Sequence, residues 1–281
     1  MANSIDKVLP SDNHVHSEWS YDTSADASMV RSCEQAVALG VPAIAFTEHL
    51  EFTVGGAGDA IVAIATDHRW WGRIKPLDVA GYTASIEDCR QRFPGLRILS
   101  GIEAGESHLF GASAGAVVHG HAFDRVLGSL HAVPYQGRLV AADALFGLMR
   151  DDDAAMRYYL TELVALIEGS DLFEVLAHLD FPRRYWPKGA HLYQEKPFEE
   201  EYRTAMRALA ASGRVLEINT KSPLASVDLM RWWRESGGTA VSFGSDAHLP
   251  GRVGDRFELA VDVVEAAGFR PGRDRYDFWR A

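Results

Sequence analysis

Cysteine is nearly missing from this sequence: Cys33 and Cys89 are the only two in 281 residues. That number excludes a disulfide framework and a thiolate zinc site. Both lie in stretches with helical patterning, so they are expected as small buried side chains in a reducing compartment. Long apolar runs are missing as well. No run approaches the length of a membrane span, and residues 1–10 contain no signal-peptide core; the expected location is the cytoplasm, without a membrane partner. Basic residues are in deficit, with 28 Lys and Arg against 39 Asp and Glu and a formal net charge of −11. This balance, with no basic stripe, disfavours nucleic acid and anionic lipid as partners. Bound cations would offset part of the acid. Low-complexity segments and close repeats are also lacking.

What is present is a 47% apolar chain with evenly spread charge, enough for a sizeable core in one large domain or two small ones. One pattern recurs along it: a short apolar run, a polar end, then a helical stretch. Strands are predicted at Asp12–His16, Ala43–Phe46, Arg97–Ile102, Arg125–Leu130, Phe173–Ala177, Val215–Asn219 and Thr239–Phe243. Helices are predicted at Asp26–Gly40, Tyr82–Phe93, Phe198–Ser212, Val227–Glu235 and Arg256–Ala267, with a long helical region over Leu145–Ile167. Phe110–Ala122 fits helix or loop. Residues 51–80, with Gly55-Gly56-Ala57-Gly58 and Trp70-Trp71, read as a long loop insertion of the kind that serves as a lid. Seven strands alternating with helices indicate a parallel α/β architecture. In a barrel of this kind the C-terminal strand ends converge on one face, where active sites sit.

Those ends carry the chemistry. The seventh strand runs into Ser245-Asp246-Ala247-His248, and residues i and i+2 of an extended segment point the same way. A carboxylate beside an imidazole suits a divalent ion of the Zn, Mn or Fe kind. Other strands end in His14 and His16, in Glu48-His49, in Glu103, in His131 and in His178; only the sixth lacks such a group, ending in Asn219. A single histidine is usually a core or surface residue, but core packing does not explain six of seven strand ends. His68, His108, His119, His121 and His191 fall in loops or helices and are expected at the surface.

The motifs Asp12-x-His14-x-His16, Thr47-Glu48-His49, Gly101-Ile102-Glu103, Gly128-Ser-Leu-His131 and Ser245-Asp-Ala-His248 occur in this order. In order and spacing the chain resembles the polymerase-and-histidinol-phosphatase (PHP) superfamily from about residue 11 to about residue 270. Through Ala177-His-Leu-Asp-Phe-Pro-Arg-Arg-Tyr185 and Leu216-Glu-Ile-Asn-Thr220 it is most similar to the stand-alone histidinol-phosphate phosphatases. The resemblance implies one domain, a distorted (β/α)7 TIM-like barrel over residues 1–281, that holds three divalent metal ions and hydrolyses phosphomonoesters. It assigns one ion to His14, His16, Glu103 and Asp246, a second to Glu103, His131 and His178, and a third to Asp22, His49 and His248. Asp12 is expected to orient a liganding histidine, and Glu48 receives no role.

A phosphomonoester dianion repels an attacking anion, so its hydrolysis needs cations on the non-bridging oxygens and a ready nucleophile. The expected chemistry is in-line attack by a hydroxide bridging two ions, with Glu103, Asp246 and His248 as the catalytic side chains. The proton donor is Asp246, His248 or a bound water. Arg183, Arg184, Lys221 and Arg252 follow strand ends and are the candidates for binding phosphate, Arg184 being the best match to the family's arginine. Where those phosphatases continue the sixth strand with a Gly-Leu-Arg-Lys type segment, this chain has Lys221-Ser222-Pro223-Leu224. The substrate is expected to be histidinol phosphate, with a nucleotide or another small phosphate ester as the alternative. A metal-binding regulatory barrel is the non-enzymatic alternative.

Overall fold

The computed structural model describes residues 8–52, 71–221 and 223–281. Strand β1 (Asp12–Val15) is followed by α1 (Met29–Leu39), β2 (Ala43–Leu50), α2 (Val79–Arg92), β3 (Arg97–Gly105), α3 (Gly111–Gly120) and β4 (Arg125–Ser129). A hairpin of β5 (Ala132–Tyr135) and β6 (Arg138–Ala141) leads to α4 (Leu145–Leu148), α5 (Asp152–Gly169) and β7 (Val175–Leu176). The chain ends with α6 (Glu199–Ala211), β8 (Val215–Asn219), α7 (Val227–Glu235), β9 (Ala240–Gly244), α8 (Phe257–Ala266) and β10 (Trp279–Arg280).

The main sheet has the order β1-β2-β3-β4-β7-β8-β9-β10. Its first seven strands pair in parallel, and β10 returns antiparallel to β9. The sheet curls until β1 meets the segment after β9. There Val15 bridges Ala247, the His16 N–H donates to Ala247 O at 2.9 Å, and the Asp246 N–H donates to His14 O at 2.7 Å. The result is the distorted TIM-like barrel expected from the alternating pattern.

Side-chain alternation along the strands sorts inside from outside. Leu176, Leu216 and Val241 pack outward in a cluster with Tyr159, Tyr202 and Trp233 of the helices. Their neighbours Val175, Val215 and Ala240 point the other way and join Leu127 and Phe278 in a small cluster of their own. A second outer core forms where Met29, Cys33 and Ala36 of α1 meet Tyr82, Ile86 and Cys89 of α2. Both cysteines are buried there. The Ser28 side chain accepts from Arg31 N, which starts α1 three residues later than Asp26, and Gly40 ends it at φ 74°, a left-handed conformation that glycine adopts without strain.

Several boundaries differ from expectation. β2 and β3 extend past Phe46 and Ile102, so Thr47-Glu48-His49 and Glu103 are strand residues rather than loop residues. β7 is two residues long instead of five. The hairpin and β10 were not expected. The hairpin turn is Gln136-Gly137, both at positive φ (49° and 75°), as a two-residue primed turn demands, and Pro134 masks the strand character. The long helical region over Leu145–Ile167 divides into α4 and α5, with Asp151 capping α5 through Ala154 N. Phe110–Ala122 resolves into α3. The lid expected within residues 51–80 lies mainly outside the described residues; a short turn at Trp71–Arg73 and the Asp78 cap of α2 complete that stretch.

Tyr82 ties α2 to the sheet. Its hydroxyl donates to Phe46 O at 2.8 Å and accepts from the Gly101 N–H at 2.7 Å. Gly101 admits no side chain, because a Cβ would stand 2.6 Å from Arg125 O. Replacing Tyr82 by Phe keeps the buried ring but leaves a buried N–H unpaired, at a cost of about 1–3 kcal/mol. Urea denaturation of Tyr82→Phe should show this loss with an unchanged slope; an unaltered midpoint would mean that the hydroxyl contributes nothing.

Candidate metal centre

Register and strand ends build the site. β2 and β3 pair with His49 directly opposite Glu103. His14 and His16 flank Val15 at the end of β1, His131 follows β4, and His178 follows β7. Asp246 and His248 follow β9. Two of these residues sit in strained backbone, Asp246 at φ 51° and His178 at φ 20°, and Glu106 nearby is at φ 43°. Left-handed geometry at a non-glycine residue costs energy and persists only where the surroundings enforce it. Here the enforcement is visible: Asp246 N is held by His14 O, and His178 N is held by Glu217 Oε2 at 2.8 Å.

Glu103 is the hub. Its Oε1 lies 2.7 Å from His178 Nε2 and 3.3 Å from His131 Nε2. Its Oε2 lies 3.4 Å from both His14 Nε2 and His16 Nε2, and 3.0 Å from His49 Nδ1. Neither Oε2 nor His49 Nδ1 forms a hydrogen bond despite this proximity. Asp22 Oδ2 lies 2.8 Å from His248 Nε2 and 3.5 Å from His49 Nε2. Thus all nine histidine and carboxylate candidates, His14, His16, Asp22, His49, Glu103, His131, His178, Asp246 and His248, come to one cluster.

The outer partners of the imidazoles decide which nitrogen faces inward. His14 Nδ1 donates to Glu217 Oε1 at 2.7 Å, and His131 Nδ1 donates to Glu51 Oε1 at 2.7 Å. The Ser20 hydroxyl donates to Glu48 Oε2 at 2.6 Å and therefore accepts from His16 Nδ1 at 3.0 Å. In all three rings Nδ1 is the nitrogen whose proton the outer partner holds, and Nε2 is the one turned inward. His14 Nε2 and His16 Nε2 then face each other at 3.1 Å, a contact that needs a proton or a metal cation between the two nitrogens. Ligand atoms bound at ~2.0–2.2 Å around one ion are separated by roughly 3.2–3.6 Å, close to the spacings found around Glu103. Groups drawn from His14, His16, His49, Glu103, His131, His178, Asp246 and His248 can each place three ligand atoms within 4.8 Å. The donor set fits divalent metal.

Electrostatics show the same demand for positive charge: against burial, Glu217 and Glu103 raise His14 well above the usual range, and Glu103 and Glu51 raise His131 to about 10. Burial alone would raise the Glu103 carboxyl, but the charges of His14, His131 and His49 hold it well below the usual range. Burial likewise opposes ionisation of Asp246, and Lys221 and Arg184 overcome it. Burial and then the charge of Glu51 push Glu106 up to about 8. Burial pushes Glu48 to about 7, against its bonds to Ser17 and Ser20.

All of the cluster but His14 and His16 lines a cavity of about 340 Å³, together with Tyr21, Ala141, Asp143, Phe181, Arg184, Tyr185 and Lys221. Arg184 Nη2 is 2.7 Å from Asp246 Oδ2, and Lys221 Nζ is 2.9 Å from Asp246 Oδ1. The other two expected phosphate binders lie elsewhere. Arg183 is drawn to Asp180 and Glu195, and the largely exposed Arg252 to Asp255, so neither borders the cavity.

Asp12 does not orient an imidazole. Its carboxylate accepts from the backbone N–H groups of His14, Ser245 and Gly254, so it pins β1 to the segments after β9. Glu48 supports His16 through Ser20. Glu217 and Glu51 were not anticipated as site residues. An acid inside the apolar run Val215-Leu-Glu-Ile-Asn219 was the available signal for Glu217.

A parallel-stranded barrel with a histidine–carboxylate cluster at its C-terminal mouth defines the class, a metal-binding α/β barrel. The chain belongs to the PHP domain family, which matches residues 12–221. It is 25% identical over 266 residues to a histidinol-phosphatase of Lactococcus lactis, covering 92% of this chain and 91% of the relative. It is 33% identical over 230 residues to a probable histidinol-phosphatase of Deinococcus radiodurans, covering 73% of this chain and 81% of the relative. In three dimensions it is similar to the L. lactis histidinol phosphate phosphatase crystallised with zinc, L-histidinol and phosphate. There the TM-score is 0.78 at 22% identity, covering 94% of this chain and 95% of that one. No helix among the described residues is long and apolar enough to cross a membrane.

His108 departs from the surface position expected for it. Both ring nitrogens are buried without a hydrogen-bond partner, and burial holds its pKa down at about 4 from the usual 6.5. Below pH 6.5 the unfolded chain takes up a proton that the folded chain refuses until about pH 4. Stability contributed here is therefore present above pH 6.5 and lost as pH falls through that window. His108→Leu should remove this dependence, gaining on the order of 1–2 kcal/mol over wild type at pH 4.5 relative to pH 7.5. Denaturant midpoints at the two pH values measure it, and parallel pH profiles would contradict it.

Proposed function

We propose that the chain is a metal-dependent phosphomonoester hydrolase acting on histidinol phosphate. The observation that carries this is Glu103, with imidazole nitrogens around both of its oxygens, at the floor of a cavity bordered by Arg184 and Lys221. Three divalent ions would be held by His14, His16, Glu103 and Asp246; by Glu103, His131 and His178; and by Asp22, His49 and His248. Zinc is present in the L. lactis complex, and sets of this composition also take manganese or iron. When bound, such ions neutralise phosphoryl oxygens and bring the pKa of a coordinated water towards neutrality.

The chain's own side chains account for binding. Arg184 and Lys221 both lean on Asp246, and a phosphate dianion in the cavity competes with Asp246 for them. The Arg184 fork matches two phosphate oxygens, and Lys221 adds a point charge. Lys221 thereby takes the place of the arginine that related phosphatases carry after the sixth parallel strand. Tyr21, Phe181 and Tyr185 border the cavity and offer aromatic surface to the organic part of the substrate. Asp143 adds an acid outside the ligand cluster, and its sign suits the cationic amine of histidinol.

Chelation should abolish release of phosphate from histidinol phosphate, and added Zn²⁺ or Mn²⁺ should restore it, with histidinol phosphate turned over ahead of nucleotides and other small esters. Restored activity on other esters alone would keep the centre and overturn the substrate; no restored phosphatase activity would sink the proposal. Arg184→Ala should raise KM for histidinol phosphate about tenfold or more with a smaller change in kcat, the pattern of lost binding common to ground and transition states. An unchanged KM would remove Arg184 from phosphate binding.

A further inference from the structure

We infer that Glu217 is a positioning residue that sets the geometry of two ion sites at once. The inference rests on the metal-binding function proposed for the cluster. Glu217 lies on β8, on the barrel's inner face, and is buried. Its Oε1 accepts from His14 Nδ1 at 2.7 Å. Its Oε2 accepts from the His178 N–H at 2.8 Å and from Asn219 Nδ2 at 3.0 Å. One carboxylate therefore holds a side chain of the first proposed site and the backbone of the second.

The two contacts act differently. An ionised carboxylate only accepts hydrogen bonds, so it fixes a proton on His14 Nδ1 and turns Nε2 towards Glu103 and His16 as the nitrogen open to an ion. At His178 the hydrogen bond secures a backbone at φ 20°, and that conformation delivers Nε2 to 2.7 Å from Glu103 Oε1. The neighbouring strand is shaped around the same oxygen. A Cβ on Gly244 would stand 2.0 Å from Glu217 Oε1 and 2.7 Å from His14 Cβ. Glu51 and Ser20 hold other histidines of the cluster, but neither joins His14 to His178. Partners that orient metal-bound histidines contribute substantially to affinity, and a partner shared by two sites should weaken both when altered.

The test is Glu217→Gln, assayed by titrating metal-loaded protein with a chelator, counting bound ions, and recording the thermal midpoint of the metal-free forms. The expected result is a metal-free variant that melts near metal-free wild type, yet releases two ions at about 10–100-fold lower chelator activity, the third ion being unaffected. A structural role alone would lower the metal-free midpoint without singling out two ions. Retention of all ions within threefold of wild type, or weakening of only one, would overturn the inference. If Glu217→Gln does not fold, Glu217→Asp decides. It keeps the charge but is too short to reach both His14 Nδ1 and the His178 N–H, so at least one of the two ions should weaken tenfold or more. Full retention by Glu217→Asp, or its failure to fold as well, would overturn the inference too. Wild-type protein that takes up no ion refutes the metal centre itself; wild-type protein whose ions Glu217→Gln keeps refutes only the role of Glu217.

Discussion

A carboxylate taken out of water must be compensated where it stands, and Glu103 is 1% exposed at the meeting point of five imidazoles. The separation of its two oxygens divides those rings, with His14, His16 and His49 on one side and His131 and His178 on the other. So dense a set of lone pairs is unfavourable in an apolar interior unless positive charge sits among them. The surrounding structure answers to this requirement. Arg184 and Lys221 lean on Asp246, and Glu217, Glu51 and the Glu48–Ser20 pair hold three rings so that the same nitrogen faces inward.

Such a centre needs a stiff frame, because imidazole nitrogens only 3.1 Å apart keep that geometry only while their rings are held in place. The barrel supplies the stiffness through hydrogen-bonded strands whose ends cannot shift independently. Asp12 fastens both sides of the closure, accepting from His14 on one side and from Ser245 and Gly254 on the other. Burial pushes its carboxyl up to about 6, so the fastening itself carries an energetic cost. The strained backbones of Asp246 and His178 belong to the same design. Each departs from relaxed geometry, and each is held by a hydrogen bond that its N–H donates to a neighbouring strand.

The sequence was legible where chemistry and periodicity coincide. His14, His16, His49, Glu103, His131, His178, Asp246 and His248 could be singled out because each stands at the end of an apolar run, and ends of parallel strands meet at one mouth. Glu217 could not be separated from an ordinary strand acid, because its importance comes from His14, which is 203 residues away in the chain. Arg183 and Arg184 are neighbours with the same charge, yet Glu195 and Asp180 capture one while the cavity receives the other. Nothing local distinguishes them. His108 likewise reads as a surface loop residue until the fold buries its ring.

By itself the sequence determined the alternation of seven parallel strands with helices and the set of ligand-type side chains at their ends. Both are local properties, set by side-chain periodicity and by residue type at a fixed distance from an apolar run. Only the tertiary structure decided which imidazole nitrogen faces inward, which arginine borders the cavity, and that one acid on β8 serves two histidines. Those outcomes depend on contacts between distant segments, which exist only once the sheet has curled and brought its strand ends together.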